Sequence, residues 1–502
     1  MMPRVVSHPL FLTLTLDPTS SLPLYRQLAD ALRQAILTGQ LAAGTQLPST
    51  RLCARSLGIS RFTVLTAFEQ LFAEGYISSK GGSGTYVADV LPDERLHLAE
   101  KPPTAMLASD QKRLLSRRGA LLGAGRVLPE GYGKGESVRA FRPGLPAFDH
   151  FPFDIWRRLM TKHWRHPPPD LLSYSDPAGF QPLREQITAY LKAARGVQCE
   201  AGQVIIVSGS QQALELAVRL LLDPGDAAWI EDPGYLGARA VFQGTGTRVI
   251  PVPVDAQGLD VSQGIALGAD ARLAYVTPSH QFPLGVTMSL ARRLALLRWA
   301  KEQEAWILED DYDSEYRYRG RPLPSLQGLD PTGRVIYIGT FSKVLFPGIR
   351  LGYLVVPADL VYAFVAARAV VDRQPPILDQ LVLADFLSEG HFGRHLRRMR
   401  TLYEERQAIL VEAITSELSE VLTVSPAPAG MHLVGGLAEG ISAQQISREA
   451  AHQRLIVPPL SAYACSEIDT QALLLGYTAF DAHVLRQGVQ HLARALERIR
   501  KR

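Results

Sequence analysis

The chain has 502 residues, a length that predicts two or three domains. Hydrophobic residues make up 46% of it and charged residues 20%, a composition that fits a globular protein with a large core and excludes a mainly disordered chain. The net charge is only +4, but residues 1–141 carry sixteen Lys and Arg against eleven Asp and Glu. This excess of +5 near one end favours a polyanionic partner there.

The three cysteines, Cys53, Cys199 and Cys465, form no CxxC pair and no Cys/His cluster. The sequence therefore predicts neither a disulfide framework nor a metal site, and we expect three buried, reduced thiols. No run approaches ~18 apolar residues, and no cleavage region follows the apolar start. We expect a cytoplasmic protein without a membrane partner.

Residues 20–88 alternate helical patterns with turns. Apolar spacing predicts helices over Leu24–Leu37, Ser49–Leu57 and Arg61–Ala73, with Ser60 as the N-cap of the third. Two short strand-like runs follow, separated by glycines, and they predict a hairpin that ends at Val87.

Residues 89–138 are rich in Pro, Gly and basic residues without a sustained apolar period, which is typical of a flexible linker. From 139 to 502, short apolar runs alternate with amphipathic stretches such as Leu290–Glu302. This alternation predicts an α/β domain built on a mainly parallel sheet. The strand candidates are Val204–Val207, Ala227–Ile230, Leu273–Val276, Trp306–Leu308 and Val335–Ile338.

The N-terminal motifs, Gly39–Arg51, Leu57–Val64 and Glu74–Val87, resemble in this order the winged helix-turn-helix of GntR-type regulators. The resemblance covers about seventy residues and implies a double-stranded DNA operator as partner. Hydroxyls, a guanidinium and backbone N–H groups at a helix N-terminus suit phosphates and base edges, and a glycine-rich wing can approach DNA closely. Singly, these residues could be a cap and solvated charges. The predicted DNA-binding residues are Arg51, Ser60, Arg61, Thr63, Gly82 and Gly84.

The segment Gly339-Thr-Phe-Ser-Lys343 follows a predicted strand and precedes Arg350. It resembles the cofactor-lysine region of fold-type I aminotransferases, which bind pyridoxal 5'-phosphate. The resemblance implies that Lys343 forms a Schiff base with the cofactor. Hydroxyls and a bidentate guanidinium suit the cofactor phosphate, so we assign Thr340, Ser342 and Arg350 to it.

The same resemblance implies roles for further residues. Asp310 would pair with the pyridinium nitrogen, Tyr312 with the phenolic oxygen of the ring, and Tyr235 would stack on the ring. Ser210 and Gln211 open a helix whose N–H groups can hold phosphate. Tyr174 would reach the phosphate of the neighbouring subunit, which implies a homodimer. Without the family, the acids around Asp310 could bind a cation or face water, and Tyr235 could be an ordinary packed tyrosine.

Two segments, Thr277-Pro-Ser-His-Gln-Phe-Pro283 and Glu309-Asp-Asp-Tyr-Asp-Ser-Glu315, resemble the MocR subgroup of these regulators. Aminotransferases carry an Asn-Pro pair near the first segment, so His280 or Gln281 would have to bind the ring oxygen. The arginine that binds substrate carboxylate should fall near Leu474, where none is present. This absence argues against efficient transamination of α-amino acids.

The predicted architecture is therefore α/β: an N-terminal winged helix-turn-helix over 20–88, a linker over 89–138, and an aminotransferase-like domain over 139–502 with a mainly parallel large domain and a smaller α+β domain. The predicted function is a DNA-binding transcriptional regulator whose second domain senses pyridoxal phosphate or an amine that reacts with it. The alternative is an active aminotransferase with an appended DNA-binding domain. The sequence leaves open the effector (the cofactor itself, or an amino compound such as GABA or taurine), the operator and the sign of regulation.

Overall fold

A computed structural model describes residues 16–80, 84–89, 115–129, 139–167, 169–320 and 323–500. The chain divides into two compact units, Met1–Leu114 and Leu115–Arg502. Each unit has its own hydrophobic core. No helix in the described ranges is long and apolar enough to cross a membrane.

The helices of the first unit begin and end where local chemistry predicts. The side chain of Ser49 accepts a hydrogen bond from the backbone N–H of Leu52, and that of Ser60 accepts one from Thr63, so each serine satisfies an otherwise free donor. Gly58 ends the middle helix in the left-handed conformation that glycine tolerates best. The helices are α1 (Leu24–Leu37), α2 (Thr50–Leu57) and α3 (Arg61–Ala73).

A three-stranded antiparallel sheet completes this unit. The predicted hairpin is β2 (Ile77–Lys80) and β3 (Gly84–Val87), and β1 (Gln46–Leu47) pairs with the other side of β3. The sequence analysis missed β1 because two residues are too short for an alternating pattern. The apolar faces of the three helices meet this sheet at Leu28, Leu32, Val64, Phe68, Leu71 and Val87.

Part of the predicted linker has a defined fold. Residues 115–129 belong to the second unit and contain helix α4 (Arg117–Ala124), capped by Ser116. This short helix buries none of its residues deeply, which is why its sequence lacks a clear apolar period. Residues 90–114 and 130–138 of that linker lie outside the described ranges.

The second unit is built on a mixed sheet in which the described strands follow the order β4-β11-β10-β9-β8-β5-β6-β7. The pairs among β10, β9, β8, β5 and β6 are parallel, whereas β11 and β7 pair antiparallel to their neighbours. The mainly parallel α/β prediction is confirmed. The strands are β4 (Val204–Val207), β5 (Ala227–Asp232), β6 (Arg248–Asp255), β7 (Gly258–Leu259), β8 (Ala271–Val276), β9 (Trp306–Asp311), β10 (Val335–Thr340) and β11 (Gly352–Val355).

A smaller antiparallel sheet, in the order β12-β13-β14, lies near the C-terminus with its own helices. Its strands are β12 (Leu422–Thr423), β13 (His432–Leu437) and β14 (Ala472–Gly476). The remaining helices are α5 (Phe153–Arg165), α6 (Gln181–Arg195), α7 (Ser210–Leu221), α8 (Leu236–Thr245), α9 (Val261–Leu267), α10 (Leu290–Glu302), α11 (Leu326–Leu329), α12 (Val361–Asp372), α13 (Ile377–Ser388), α14 (His391–Leu418), α15 (Ala443–His452) and α16 (Ala482–Arg500).

One prediction about the cysteines is wrong. Cys53 and Cys199 are buried, but Cys465 is exposed. It lies in a loop before β14, where its backbone N–H donates to Asp232 and its sulfur accepts a hydrogen bond from Arg239 at 3.2 Å. These polar contacts hold the loop at the surface.

Candidate functional site

The candidate nucleic-acid interface of the first unit is formed by the N-terminal ends of α2 and α3. Arg51 is exposed one residue into α2, and Arg61 is exposed at the first position of α3. The Nε of Arg61 donates to the hydroxyl of Thr50 at 3.3 Å, which connects the two helix starts. Two guanidinium groups and two helix N-termini therefore occupy neighbouring positions, an arrangement suited to phosphate.

Ser60 and Thr63 bond to each other in the N-terminal cap of α3, so their polar groups are not wholly free to contact DNA. The Ser60 hydroxyl lies 2.8 Å from the Thr63 hydroxyl and 3.0 Å from the Thr63 nitrogen. Both side chains thus fix the start of the helix as well as presenting hydroxyls. In the wing, Gly84 has φ +126°, and a Cβ there would lie 2.7 Å from Nε2 of Gln46. Gly82 lies outside the described residues.

A cavity of ≈ 240 Å³ in the second unit gathers most of the predicted cofactor-binding residues. They come from the carboxyl ends of several strands and the starts of the helices that follow, the usual place for a ligand in an open α/β sheet. Nine of the ten predicted residues line it: Ser210, Gln211, Tyr235, Asp310, Tyr312, Thr340, Ser342, Lys343 and Arg350.

Lys343, the residue predicted to bind the cofactor, lies in this cavity. It follows β10 and donates from Nζ to the carbonyl oxygen of Gly144 at 3.0 Å. Burial lowers the pKa of its amine, although the nearby carboxylates Asp313 and Asp310 oppose that shift. A lowered pKa increases the neutral fraction of the amine, which is the form that attacks an aldehyde. A Cβ at Gly144 would lie only 2.7 Å from Nζ, so a glycine leaves room for the lysine.

Asp310, on β9, is only half satisfied by the protein. Its Oδ2 accepts a hydrogen bond from the Tyr275 hydroxyl at 2.8 Å, whereas its buried Oδ1 has no partner. Burial raises the pKa of this carboxyl to about 7, and the hydrogen bond from Tyr275 opposes the shift. An unpaired carboxylate oxygen in a closed cavity fits a protonated ring nitrogen, which would supply both the missing hydrogen bond and a counter-charge.

The other side of the cavity is built for an anion. Gly209 adopts φ +109° as it leads into α7, and the first two residues of that helix, Ser210 and Gln211, line the cavity, so the N-terminus of α7 borders it. Arg350 adopts a left-handed conformation, and its guanidinium lies 3.4 Å from where a Cβ of residue 209 would be. The hydroxyl of Thr340 accepts from the backbone N–H of Ser342 at 3.1 Å. These groups fit a phosphate.

Residues 277–283 stand where aminotransferases carry an Asn-Pro pair. The sequence suggested that His280 or Gln281 takes the role of that Asn, but the structure favours neither residue. Neither His280 nor Gln281 lines the cavity. Nδ1 of His280 lies 3.0 Å from Asp313 and 2.9 Å from the hydroxyl of Tyr312. The amide nitrogen of Gln281 donates to the carbonyl oxygens of Pro233 and Phe282 and to the carboxylate of Glu231.

Phe282, directly before Pro283, lines the cavity instead. Its ring lies 6.1 Å from that of Tyr235 and 6.0 Å from that of Tyr312. A phenyl group cannot donate a hydrogen bond to a ring oxygen. The Asn function of ordinary aminotransferases is therefore missing at Phe282, and His280 contacts the cavity-lining Tyr312 through its Nδ1.

Two further sequence expectations concern residues outside the cavity. Leu474 is fully buried in β14, packed with Leu236 and Tyr463, so no cation takes the place of the carboxylate-binding arginine there. Tyr174 is 74% exposed and does not line the cavity of its own chain. The guanidinium of Arg373 lies 4.0 Å from the centre of its ring.

Some lining residues were missed by the sequence analysis. Tyr275 and Thr277, at the end of β8, could have been found because they end a buried strand next to β9. Others come from distant parts of the chain with no motif to mark them: Val127, Leu128, Pro129, Pro143, Gly144, Leu236, Pro347, Met431, His432 and Tyr463.

Comparisons with known proteins match the two parts of the chain to two different families. Residues 24–87 match the gntR family of bacterial regulatory proteins, and residues 147–492 match aminotransferase class I and II. The crystal structure of Pyrococcus horikoshii kynurenine aminotransferase, in complex with PMP, is similar at 27% identity and a TM-score of 0.66, over 80% of this chain and 98% of that one. The aminotransferase family and this neighbour imply use of pyridoxal phosphate.

Two regulators are similar over both domains. The probable rhizopine catabolism regulatory protein MocR of Rhizobium meliloti is 41% identical over 96% of this chain and 95% of its own length. The pyridoxine biosynthesis transcriptional regulator PdxR of Corynebacterium glutamicum is 33% identical over 84% of this chain and 85% of its own. The chain therefore belongs to the MocR-type transcriptional regulators, DNA-binding proteins of the GntR superfamily that carry a fold-type I aminotransferase-like domain.

Proposed function

We propose that this regulator binds pyridoxal 5'-phosphate at Lys343 and uses the occupancy of that cavity to change how a homodimer binds its operator. The single observation that carries the proposal is the unpaired, buried Oδ1 of Asp310 in the same cavity as Lys343. The fold offers no partner for this oxygen among the described residues, so a ligand with a cationic or donor nitrogen is the group that would complete it.

When bound, the cofactor supplies an aldehyde that reacts with primary amines and a ring that withdraws electrons. The protein's own residues then divide the work. Lys343 would present an amine whose pKa burial lowers, Asp310 would hold a proton on the ring nitrogen, and Arg350 with the start of α7 would bind the phosphate. Tyr235 and Tyr312 would border the ring.

The test is spectroscopic and needs only the purified chain. We expect a visible absorption band after addition of pyridoxal phosphate, and borohydride should fix the cofactor to the peptide that contains Lys343. Lys343→Ala should lose the band and the covalent product. A Lys343→Ala variant that keeps both would show that another amine carries the cofactor.

A regulator rather than an efficient transaminase is supported by Phe282 and Leu474, which stand where an aminotransferase uses polar and cationic side chains. We expect negligible turnover with common amino acids and 2-oxo acids in a dehydrogenase-coupled assay. Specific retardation of the chain's own upstream DNA in a gel-shift should accompany this lack of turnover. Efficient turnover without DNA binding would support the enzyme alternative instead.

Homodimerisation can be tested through Tyr174. If this exposed tyrosine serves the partner's phosphate, a mixed dimer of Tyr174→Phe and Lys343→Ala chains contains one site with a native lysine and a native tyrosine. We expect this mixture to recover cofactor affinity that neither variant has alone. Recovery would fail if Tyr174 acted within its own chain or if the protein were a monomer.

The effector is proposed as a primary amine or as pyridoxal phosphate itself, because both react through the same lysine. A ligand can shift operator binding only by its differential affinity for the two arrangements of the dimer. We expect operator affinity, or DNA bending, to change when the effector is added. The Lys343→Ala variant should bind DNA but respond less.

A further inference from the structure

The segment 115–129, which we term the strap, borders the ligand cavity of the second unit. In sequence it lies far before β4, the first strand of that unit. Val127, Leu128 and Pro129 line the same cavity as Lys343. The strap follows residues 89–114 of the predicted linker, so part of the chain between the DNA-binding unit and the first strand of the second unit also belongs to the ligand site.

The strap is held against α8 by close packing of small residues. A Cβ at Gly244 of α8 would lie 2.5 Å from Leu122, and a Cβ at Gly125 would lie 3.4 Å from Ala240. Arg118 adds a weak ion pair to Glu215 at 3.8 Å. The glycines at these two positions let α4 lie close against α8, which places the strap beside that helix.

Beyond α4 the strap passes between two cavities. Leu128, Pro129 and Leu236 line both the Lys343 cavity and a neighbouring one of ≈ 360 Å³. Leu236 also packs with Tyr463 in an apolar cluster that Phe282 borders. The wall next to the strap is therefore apolar, unlike the side of the cavity with Arg350.

No free charge is available on this apolar wall among the residues described. His432 lines the cavity near Phe282, but burial lowers the pKa of its imidazole to about 4 and its Nε2 lies 2.8 Å from the carbonyl oxygen of Pro283. A neutral imidazole and apolar side chains discriminate against a charged ligand body, since an unpaired charge would be desolvated there.

We infer that the strap is a specificity-determining part of the effector site, with Leu128 contacting the uncharged body of an amine joined to the cofactor. This inference rests on the proposed function, because it requires cofactor chemistry at Lys343. In this arrangement, residues between the DNA-binding unit and the first strand of the second unit contact the ligand directly.

The test compares two stable ligands on cofactor-free protein: pyridoxamine phosphate, which has no amine body, and N-(5'-phosphopyridoxyl)-3-methylbutylamine, a leucine compound without the carboxylate, which has an uncharged, apolar one. In Leu128→Ala we expect about three- to tenfold weaker binding of the leucine compound, from the lost apolar contact. Binding of pyridoxamine phosphate should be unchanged. Leu121→Ala is the matched control, because Leu121 is an exposed leucine of the strap that does not line the cavity.

A second measurement uses the native sequence. Trypsin can cut after Arg126, which is exposed directly before Val127. The leucine compound should slow that cleavage more than pyridoxamine phosphate does, since only its body reaches the strap.

The outcomes separate the two proposals. If pyridoxamine phosphate failed to bind the native chain, the proposed function would fall and this inference with it. If it bound, but Leu128→Ala lost equal affinity for both ligands or behaved like Leu121→Ala, the role of the strap in specificity would be overturned while the cofactor proposal stood. Equal protection by both ligands at Arg126 would also count against the strap.

Discussion

The two units present their functional residues in opposite physical settings. In the first unit, Arg51 and Arg61 are exposed charges on a small helical core. In the second, Lys343 and Asp310 are buried, their pKa values are shifted, and an oxygen lacks a partner. A DNA interface must stay solvated until a large polyanion arrives, whereas a small-molecule site must exclude water before its ligand binds. In a structure without ligands, a small-molecule site is therefore much easier to recognise than a DNA interface.

The largest effect is expected from a change at Asp310, the buried acid of the second unit. Asp310→Ala should weaken binding of pyridoxal phosphate by about 100-fold or more, because the ring nitrogen loses a buried, charged partner. Absorbance titration measures this loss, and the position of the visible band should change as well.

Asp310→Asn is the matched variant, since it keeps the shape and the acceptor for Tyr275 but loses the charge. We expect it to fall near Asp310→Ala in cofactor affinity, with operator affinity in the absence of ligand unchanged for both. If the Asn variant bound like the native protein, charge would not be what holds the ring.

The exposed surface of the first unit is tested at Arg51 and Arg61. Each Arg→Ala change should reduce operator affinity by about 1–3 kcal/mol if its guanidinium contacts a base, without altering cofactor absorbance. Fluorescence anisotropy with operator DNA measures this, and affinity should fall steeply with salt because phosphate contacts release counterions.

Arg26→Ala is the charge-matched control, because Arg26 is an exposed arginine of α1, a helix that carries none of the predicted DNA-binding residues. Its effect should be that of one lost long-range charge. Equal losses for all three variants would indicate attraction by net charge rather than a defined reading surface.

Burial in the second unit also predicts a pH dependence. Burial raises the pKa values of Asp310, Glu231 and Glu309 each to about 7, well above their unfolded values. In this range the folded state binds more protons than the unfolded state, so the stability of the cofactor-free second unit must fall as pH rises from about 5 through 7. A single such group contributes on the order of 1 kcal/mol between pH 6 and 8.

Denaturant unfolding at pH 6 and pH 8 measures this difference. Asp310→Asn should reduce the pH dependence by about the contribution of one group, and added cofactor should reduce it too, since Asp310 is then ionised beside a cation. A cofactor-free protein that became more stable at pH 8 would contradict the assignment of these raised pKa values.

The smallest expected effect separates folding from recognition in the first unit. Ser60→Ala should cost about 1 kcal/mol of stability because the cap of α3 is lost, whereas Ser60→Gly should cost only a few tenths. Thermal unfolding measures the stability. If both variants bind DNA equally weakly, the hydroxyl itself contacts the operator; if affinity follows stability, Ser60 acts through the helix.

Much of the site followed from the sequence because its residues sit at element ends that local chemistry defines. The bounds of α1, α3, α10 and β4 were predicted to the residue, since apolar periodicity and capping serines are local properties. Strand β9, which contains Asp310, and strand β10, which precedes Lys343, were predicted too short, because acidic residues end β9 and Gly-Thr ends β10, and these residues break the apolar run that identifies a strand.

The remaining features depended on contacts between residues far apart in the chain. The amino-acid sequence by itself determined the two domain families, their order, and the types of side chain predicted to face DNA and cofactor. Only the tertiary structure decided that Phe282 rather than His280 or Gln281 borders the cavity, that β1 joins the hairpin, and that the strap packs on α8 beside Lys343. The physical reason is that these positions are set by close packing and strand pairing across long sequence separations, which leave no periodic signature in the local sequence.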